Sequence, residues 1–213
     1  MEIFIASFDL GTRNFAFCIQ KVSMNELKVI KKTKPSFNED GTCTPEYDSF
    51  VQQIYKTGKV ICFEVIDLVK ESQTFEESNL FLVLTDKLNQ YKTYWDRTNV
   101  FLIEQQMSYG HQKSNIQALK LAQHCMSYFY TIYGNFKVIM DYPSQHKTRL
   151  LGCEHVKRKK HKSRKLFSVD LASKILKVKV DMDLKQFDKW KKKDDISDCL
   201  LMIETFKIKY MTS

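Results

Sequence analysis

The sequence predicts an α/β fold in which a mixed β-sheet is flanked by α-helices. Three observations point there. β-forming runs crowd the first part of the chain around a glycine turn. Further on, short apolar strands alternate with segments of helical periodicity. With 213 residues, 43% of them hydrophobic and 13% aromatic, the chain is long enough to bury one substantial core and too apolar for global disorder. A strand-rich start followed by strand–helix alternation gives a sheet with helices packed around it. A single domain over 1–213 is expected.

Residues 1–8 are rich in β-formers and read as a strand, and 15–22 read as a second. The turn at Gly11 joins them as an antiparallel hairpin. Residues 27–32 read as a third strand. Residues 34–49, with Pro35, Asn38, Gly41 and Pro45, have turn composition, and 34–57 is expected to be a surface insertion. Another apolar, β-branched strand covers 60–69. Residues 74–94 show helical spacing, with Phe75, Leu80, Phe81, Leu84, Leu88 and Tyr91 on one face. A short buried strand at 100–103 runs directly into Glu104. A helix over 114–133 follows, with Ser114 and Asn115 as candidate caps and Ile116, Leu119, Leu121, Ala122, Cys125, Met126 and Phe129 inward. A strand at 136–140 is ended by Pro143. A basic helix spans 162–176, and a last helix over 194–208 turns Ile196, Cys199, Leu200, Ile203 and Phe206 to the core.

Several classes are disfavoured. No apolar stretch approaches the roughly 20 residues that span a bilayer, so no membrane association is expected. Glu2 stands where a secretory leader would carry positive charge. The six cysteines are scattered without a Cys-x-x-Cys pair, which suits free thiols in an intracellular protein. His146, Cys153, His155 and His161 match no common zinc-finger spacing.

Charge is unevenly placed. Residues 147–193 hold 17 lysines and arginines against five acids, a net of +12, while the remainder holds 17 against 20, a net of −3. The heart of the excess is Lys-Arg-Lys-Lys-His-Lys-Ser-Arg-Lys at 157–165. Such a run is a solvated helix face, a localisation signal or a surface that neutralises phosphates. The candidate DNA contacts are Lys147, Arg149, Lys157, Arg158, Lys159, Lys160, Arg164, Lys165 and Lys193. Tyr109, Tyr142 and Phe167 are candidate wedges into a bound nucleic acid, although aromatics in such patterns usually belong to a core.

Asp9 interrupts an apolar hairpin, and a buried carboxylate is costly unless it is paired, protonated or bound to a cation. Other carboxylates also end apolar elements. Glu104 closes Asn-Val-Phe-Leu-Ile-Glu, and Asp195 and Asp198 lie three apart on the last helix, on one face. Each alone is commonly a solvated or dipole-compensating charge. Together they form an acidic set that suits phosphodiester hydrolysis, where two divalent ions stabilise the attacking and leaving oxygens. Magnesium, with manganese as a substitute, favours such an all-oxygen set. On this reading Asp9, Glu104, Asp195 and Asp198 are both the catalytic residues and the metal ligands.

The order strand–Asp–Gly hairpin, strand–Glu, helix with Asp-x-x-Asp resembles the ribonuclease-H-like nucleases, specifically RuvC-type Holliday-junction resolvases. Phe8 to Ile19 is similar to the opening motif of the mitochondrial and large-DNA-virus branch of that family. Phe101 to Gln106 resembles its second acidic motif, Lys192 to Leu201 its last, and Lys162 to Leu176 the basic helix of the poxvirus members. The resemblance implies a ribonuclease-H-like fold and a magnesium-dependent endonuclease. It also implies a homodimer cutting paired strands of four-way DNA junctions symmetrically, with no small-molecule cofactor. The setting would be intracellular, host cytoplasm or virion if viral, with nucleus and mitochondrion left open. Family spacing favours Asp195 over Asp194, which is also one turn from Asp198. Gln105 and Gln106 either cap the strand end or touch DNA, and Arg13 and Asn14 either hold the turn or contact phosphate. Symmetric cutting requires a two-fold dimer, and the aromatic helix 114–133 is the candidate interface. The alternatives are a ribonuclease H acting on RNA–DNA hybrids and an inactive nucleic-acid-binding protein of the same fold. A sugar-kinase or actin-like ATPase would need glycine-rich phosphate loops, and the chain has six glycines.

Overall fold

Strand β1 (Glu2–Asp9) pairs antiparallel with β2 (Phe15–Ser23) along its whole length, from Glu2 against Ser23 to Asp9 against Ala16. Between them the chain turns so tightly at Gly11 that an added Cβ would come within 3.3 Å of the Asn14 carbonyl oxygen. A computed structural model of the chain describes residues 1–39, 42–72, 76–106, 116–152, 161–179, 184–190 and 192–213. After β2 come helices α1 (Met24–Lys28) and α2 (Pro45–Lys56), then strand β3 (Lys59–Ile66) and helices α3 (Leu68–Ser72), α4 (Glu77–Gln90) and α5 (Lys92–Arg97). Strand β4 (Val100–Glu104), helix α6 (Ile116–Tyr133) and strand β5 (Val138–Tyr142) follow. The chain ends with α7 (Gln145–Leu151), α8 (His161–Val178), α9 (Leu184–Lys189) and α10 (Asp194–Tyr210).

The five strands lie in the order β3-β2-β1-β4-β5, with β4 parallel to both β1 and β5 and the first three strands antiparallel. This is a ribonuclease-H-like mixed sheet flanked by helices, the expected fold class. Strand alternation divides the core. Ile5, Ala16, Cys18, Phe63, Leu102 and Tyr142 pack on one face with α2, α8 and α10. Ala6, Phe8, Phe17, Ile19, Phe101 and Ile103 pack on the other with α4, α5 and α6. There Phe8 meets Trp95 and Phe129 at ring-centroid distances of 5.4 and 5.2 Å.

Three expectations need correction. Residues 27–32 hold no strand, because Ser23 caps α1 by accepting from the Glu26 N–H at 3.4 Å. The buried pair there, Leu27 and Ile30, is spaced for a helix. The segment 34–57 is not all surface. Pro45 opens α2 at the first helical turn, where its missing N–H costs nothing. Tyr47, Phe50, Val51, Ile54 and Tyr55 then bury one helical face in the core. The helix expected over 74–94 is two, α4 and α5, which meet at Tyr91.

Helix α10 crosses the sheet with most of its surface covered. The Ser7 hydroxyl donates to the Cys199 carbonyl at 2.7 Å, which fixes α10 over β1. Further along, α10 brings two charges into the core. Glu204 and Lys207 are fully buried, with Lys207 Nζ 2.6 Å from Glu204 Oε2 as an ion pair without hydrogen-bond geometry. Gln20 donates to Glu204 at 2.9 Å. Buried Lys179, at the end of α8, lies 3.3 Å from Glu204 and donates to the Thr57 and Gly58 carbonyls.

Candidate active site

Backbone register alone places the first two acids. Phe8 pairs with Ile103 across parallel strands, so the next residues, Asp9 and Glu104, end neighbouring strands at the same level. Both share a sheet face with Ile5, Leu102 and α10. Because Ser7 holds Cys199, the first turns of α10 come to rest beside these strand ends. Asp194, Asp195 and Asp198 ride there, and acids in a first helical turn also complement the helix dipole.

The centre of the cluster is a lysine. Lys147, on α7 after β5, has a side chain only 9% exposed. Its Nζ is 3.1 Å from Glu104 Oε1 and 2.9 Å from Asp198 Oδ2. Burial by itself would lower the Lys147 pKa, but Glu104, Asp198 and Asp9 together hold it well above the usual lysine value. Burial pushes the Asp9 carboxyl well up, and Glu104, Asp195 and Asp198 add to it against the opposing Lys147. Asp198 is raised for the same first reason, offset by Lys147 and by Ser168 of α8. This is an acidic site with more negative charge than its single buried ammonium balances.

The flanking acids are paired outward. Asp194 bonds Lys165 of α8 and lies 3.7 Å from Lys192. Burial acts to raise its pKa, but the two lysines outweigh that and hold it below the usual value. Asp195 is 2.5 Å from Lys192, yet burial still leaves its pKa raised.

A divalent ion can be tested against these residues. The donors are all carboxylate oxygens, the set preferred by hard cations. Asp198 Oδ1 is buried with no hydrogen-bond partner among the described residues, which leaves a free ligand atom. The donor chemistry fits. The carboxylates do not form a closed cage, however, since among the described residues no three His, Cys, Asp or Glu side chains converge as a ligand group. Lys147 stands between two of them.

The remaining expected residues scatter. Arg149 and Arg164 are exposed, and Lys165 faces the acids. Lys193 turns to Asp188 at 2.6 Å and lies 5.1 Å from the Phe187 ring centroid. Lys157, Arg158, Lys159, Lys160 and Tyr109 lie outside the described residues. Tyr142 is a core residue whose hydroxyl bonds Thr205 at 3.1 Å, and Phe167 packs against the same core. Gln105 sits beside Asp141 and helps to hold down its pKa, which burial raises. Sequence reasoning missed Lys192 and Ser168, and it left the role of Asn14 open. With its amide oriented to satisfy its neighbours, Asn14 accepts from Lys192 at 3.1 Å. Only the lysine run before Asp194 hinted at this.

No family model matches the chain. It is similar to uncharacterized protein 170L of Invertebrate iridescent virus 6, with 29% identity covering 99% of this chain and 91% of that one. It is also similar to uncharacterized protein 97L of Invertebrate iridescent virus 3, at 28% identity over 95% and 98%. Among solved structures, the yeast mitochondrial Holliday junction resolvase Ydc2 superposes with a TM-score of 0.53 and 15% identity, covering 96% of this chain and 77% of that one. The fold is shared.

Proposed function

We propose that this chain is a divalent-metal-dependent endonuclease that resolves four-way DNA junctions by paired cuts, acting as a homodimer. One observation carries the reading: buried Lys147 contacts Glu104 at the end of β4 and Asp198 on α10, and Asp9 ends the neighbouring parallel strand at the level of Glu104. The fold shared with a junction resolvase and the ordered acidic motifs support it. The two iridescent-virus relatives support a viral setting inside a host cell.

Asp9, Glu104, Asp195 and Asp198 would hold the ions, magnesium or manganese. Such ions, when bound, stabilise charge on the attacking and leaving oxygens of the phosphodiester. The protein supplies the rest. Two strand ends and one helix start, all anchored in the core, fix the carboxylates on rigid elements. The Lys147 ammonium stands where it can face a phosphoryl oxygen once the acids it now balances have another partner. Arg149, Arg164, Lys165 and the 157–160 run would hold the DNA backbone, with Lys193 further out. For a dimer surface, Tyr130, Ile132 and Phe136 near the end of α6 and Val138 on the edge strand β5 present exposed apolar area. Phe129 and Tyr133 of the same helix are buried in the core instead.

The deciding experiment is cleavage of an end-labelled four-way junction with and without magnesium, beside duplex DNA and an RNA–DNA hybrid. Symmetric nicks in the junction alone, only with metal, are expected. Preferential cutting of the hybrid would reassign the chain as a ribonuclease H. Binding without cutting on every substrate would make it a DNA-binding protein.

A further inference from the structure

Lys192 lies two residues ahead of α10 and bridges two elements. Its Nζ is 2.5 Å from Asp195 Oδ2 and 3.7 Å from Asp194 Oδ2, and it reaches the Asn14 amide oxygen in the β1–β2 turn at 3.1 Å. Its surroundings differ from those of Lys147 and Lys193, and its carboxylate differs from that of the equally exposed Lys165, which pairs with Asp194. Lys147 is enclosed, and Lys193 is engaged by Asp188 and Phe187. Lys192 is 47% exposed, and an ion pair so open to water is weak and readily traded for another anion. It lies on the acidic edge, at the end of the strongly basic stretch, where an incoming backbone phosphate would meet it.

We propose that Lys192 is an exchangeable counter-ion. It neutralises Asp195 while no nucleic acid is bound and passes to a DNA backbone phosphate when the substrate arrives, leaving Asp195 free for a divalent ion. The inference rests on the metal-centre reading above and adds a positioning residue that the motifs did not single out. It requires DNA and metal to bind with positive coupling, and that coupling is reciprocal by linkage.

The test uses the full chain, as wild type, Lys192→Gln and Lys192→Arg. Binding of Mn2+ without DNA is followed by electron paramagnetic resonance. Junction affinity with and without Mn2+ is followed by fluorescence anisotropy. The junction carries phosphorothioate linkages around the crossover, which slow hydrolysis and keep the charge. Lys192→Gln should bind Mn2+ about fivefold more tightly than wild type in the absence of DNA. In wild type, Mn2+ should raise junction affinity by about the same factor, and Lys192→Gln should lose most of that gain. Lys192→Arg should follow wild type. Equal Mn2+ affinity in wild type and Lys192→Gln, or an undiminished coupling in Lys192→Gln, overturns the exchange while leaving the metal centre standing. Absence of Mn2+ binding in every variant, with or without junction, removes the metal centre and the exchange together.

Discussion

Lys147 Nζ sits 2.9 Å from Asp198 Oδ2 and 3.1 Å from Glu104 Oε1, a buried cation joining an α10 acid to a β4 acid. Taking out one partner of such a group leaves the others desolvated and unbalanced. Lys147→Met should therefore lower metal-free stability by about 3–5 kcal/mol at neutral pH, as read by urea denaturation. The defect should shrink on acidification, because Asp9 and Asp198, whose pKa values are raised, take up protons and shed the uncompensated charge. A defect of equal size at pH 7 and pH 5 would mean that missing packing, not charge, is responsible.

Asp9 carries the opposite consequence. Its raised pKa means that the folded chain binds its proton more tightly than the unfolded chain does. The stability this gives is present below the ordinary aspartate value of 3.8 and is lost as the pH rises through the folded-state value. Asp9→Asn keeps the shape without the charge. It should raise metal-free thermal stability at neutral pH, with the gain fading toward pH 4, while cleavage falls on the order of 10³-fold and junction binding persists. A variant less stable than wild type at pH 7 would show that the Asp9 carboxylate supports the fold.

The acidic edge was legible because strand-end carboxylates interrupt patterns that are otherwise apolar. Asp9 and Glu104 stand out within their own few residues, and parallel register then brings them together. The order of elements was legible on the same basis. Helix α2 was hidden by its flank, since Pro35, Asn38 and Pro45 look like a loop until Pro45 is placed in a first helical turn. Nothing local separates Lys147, Lys192 and Lys193. Their different roles come from α7, α9 and α10 meeting in space. Tyr142 looked available because an aromatic beside a proline resembles a loop, whereas its hydroxyl is bound by Thr205 on α10.

Glu204 is the one acid in contact with two fully enclosed lysines, Lys179 and Lys207, among the described residues. Glu204→Gln should destabilise the chain by about 3–5 kcal/mol, since the Lys179 ammonium, and Lys207 when protonated, would lose their counter-charge. In wild type, burial lowers the Lys207 pKa to about 7, although Glu204 opposes the shift. The folded chain thus releases that proton before the unfolded chain does, so this group makes stability rise between about pH 7 and the ordinary lysine value of 10.5. The difference in denaturation midpoint between wild type and Lys207→Met, followed across that range, isolates this group, and a difference that does not shift in favour of wild type as the pH rises contradicts it.

The basic run has an ionic signature. Replacing Lys157, Arg158, Lys159 and Lys160 by glutamine should weaken junction binding. It should also reduce the log–log salt slope by about 0.9 for each phosphate that is no longer neutralised. An unaltered slope would assign the run to localisation or solubility.

Asp194 and Asp195 are adjacent, and their positions on α10 separate their roles. Successive helical residues point about 100° apart, so the two cannot face one metal equally. Asp194 is turned to Lys165 on α8, which ties that helix to the start of α10, with Lys192 3.7 Å away. Asp195 has only the exposed Lys192 as its ion partner among the described residues, and its charge acts on Asp9. Asp195→Asn and Asp198→Asn should each remove most cleavage, while Asp194→Asn should be mild in cleavage and measurable in stability. The Asp194 pKa is lowered, so its stabilisation is present above the ordinary value of 3.8 and is lost as the pH falls through the folded-state value. Asp194→Asn should therefore lower the neutral-pH melting temperature, with the difference from wild type closing in acid. Magnesium titrations of cleavage in the three variants, beside melting curves, separate the roles. An inactive Asp194→Asn beside a near-normal Asp195→Asn would move the metal ligand one residue back along the helix.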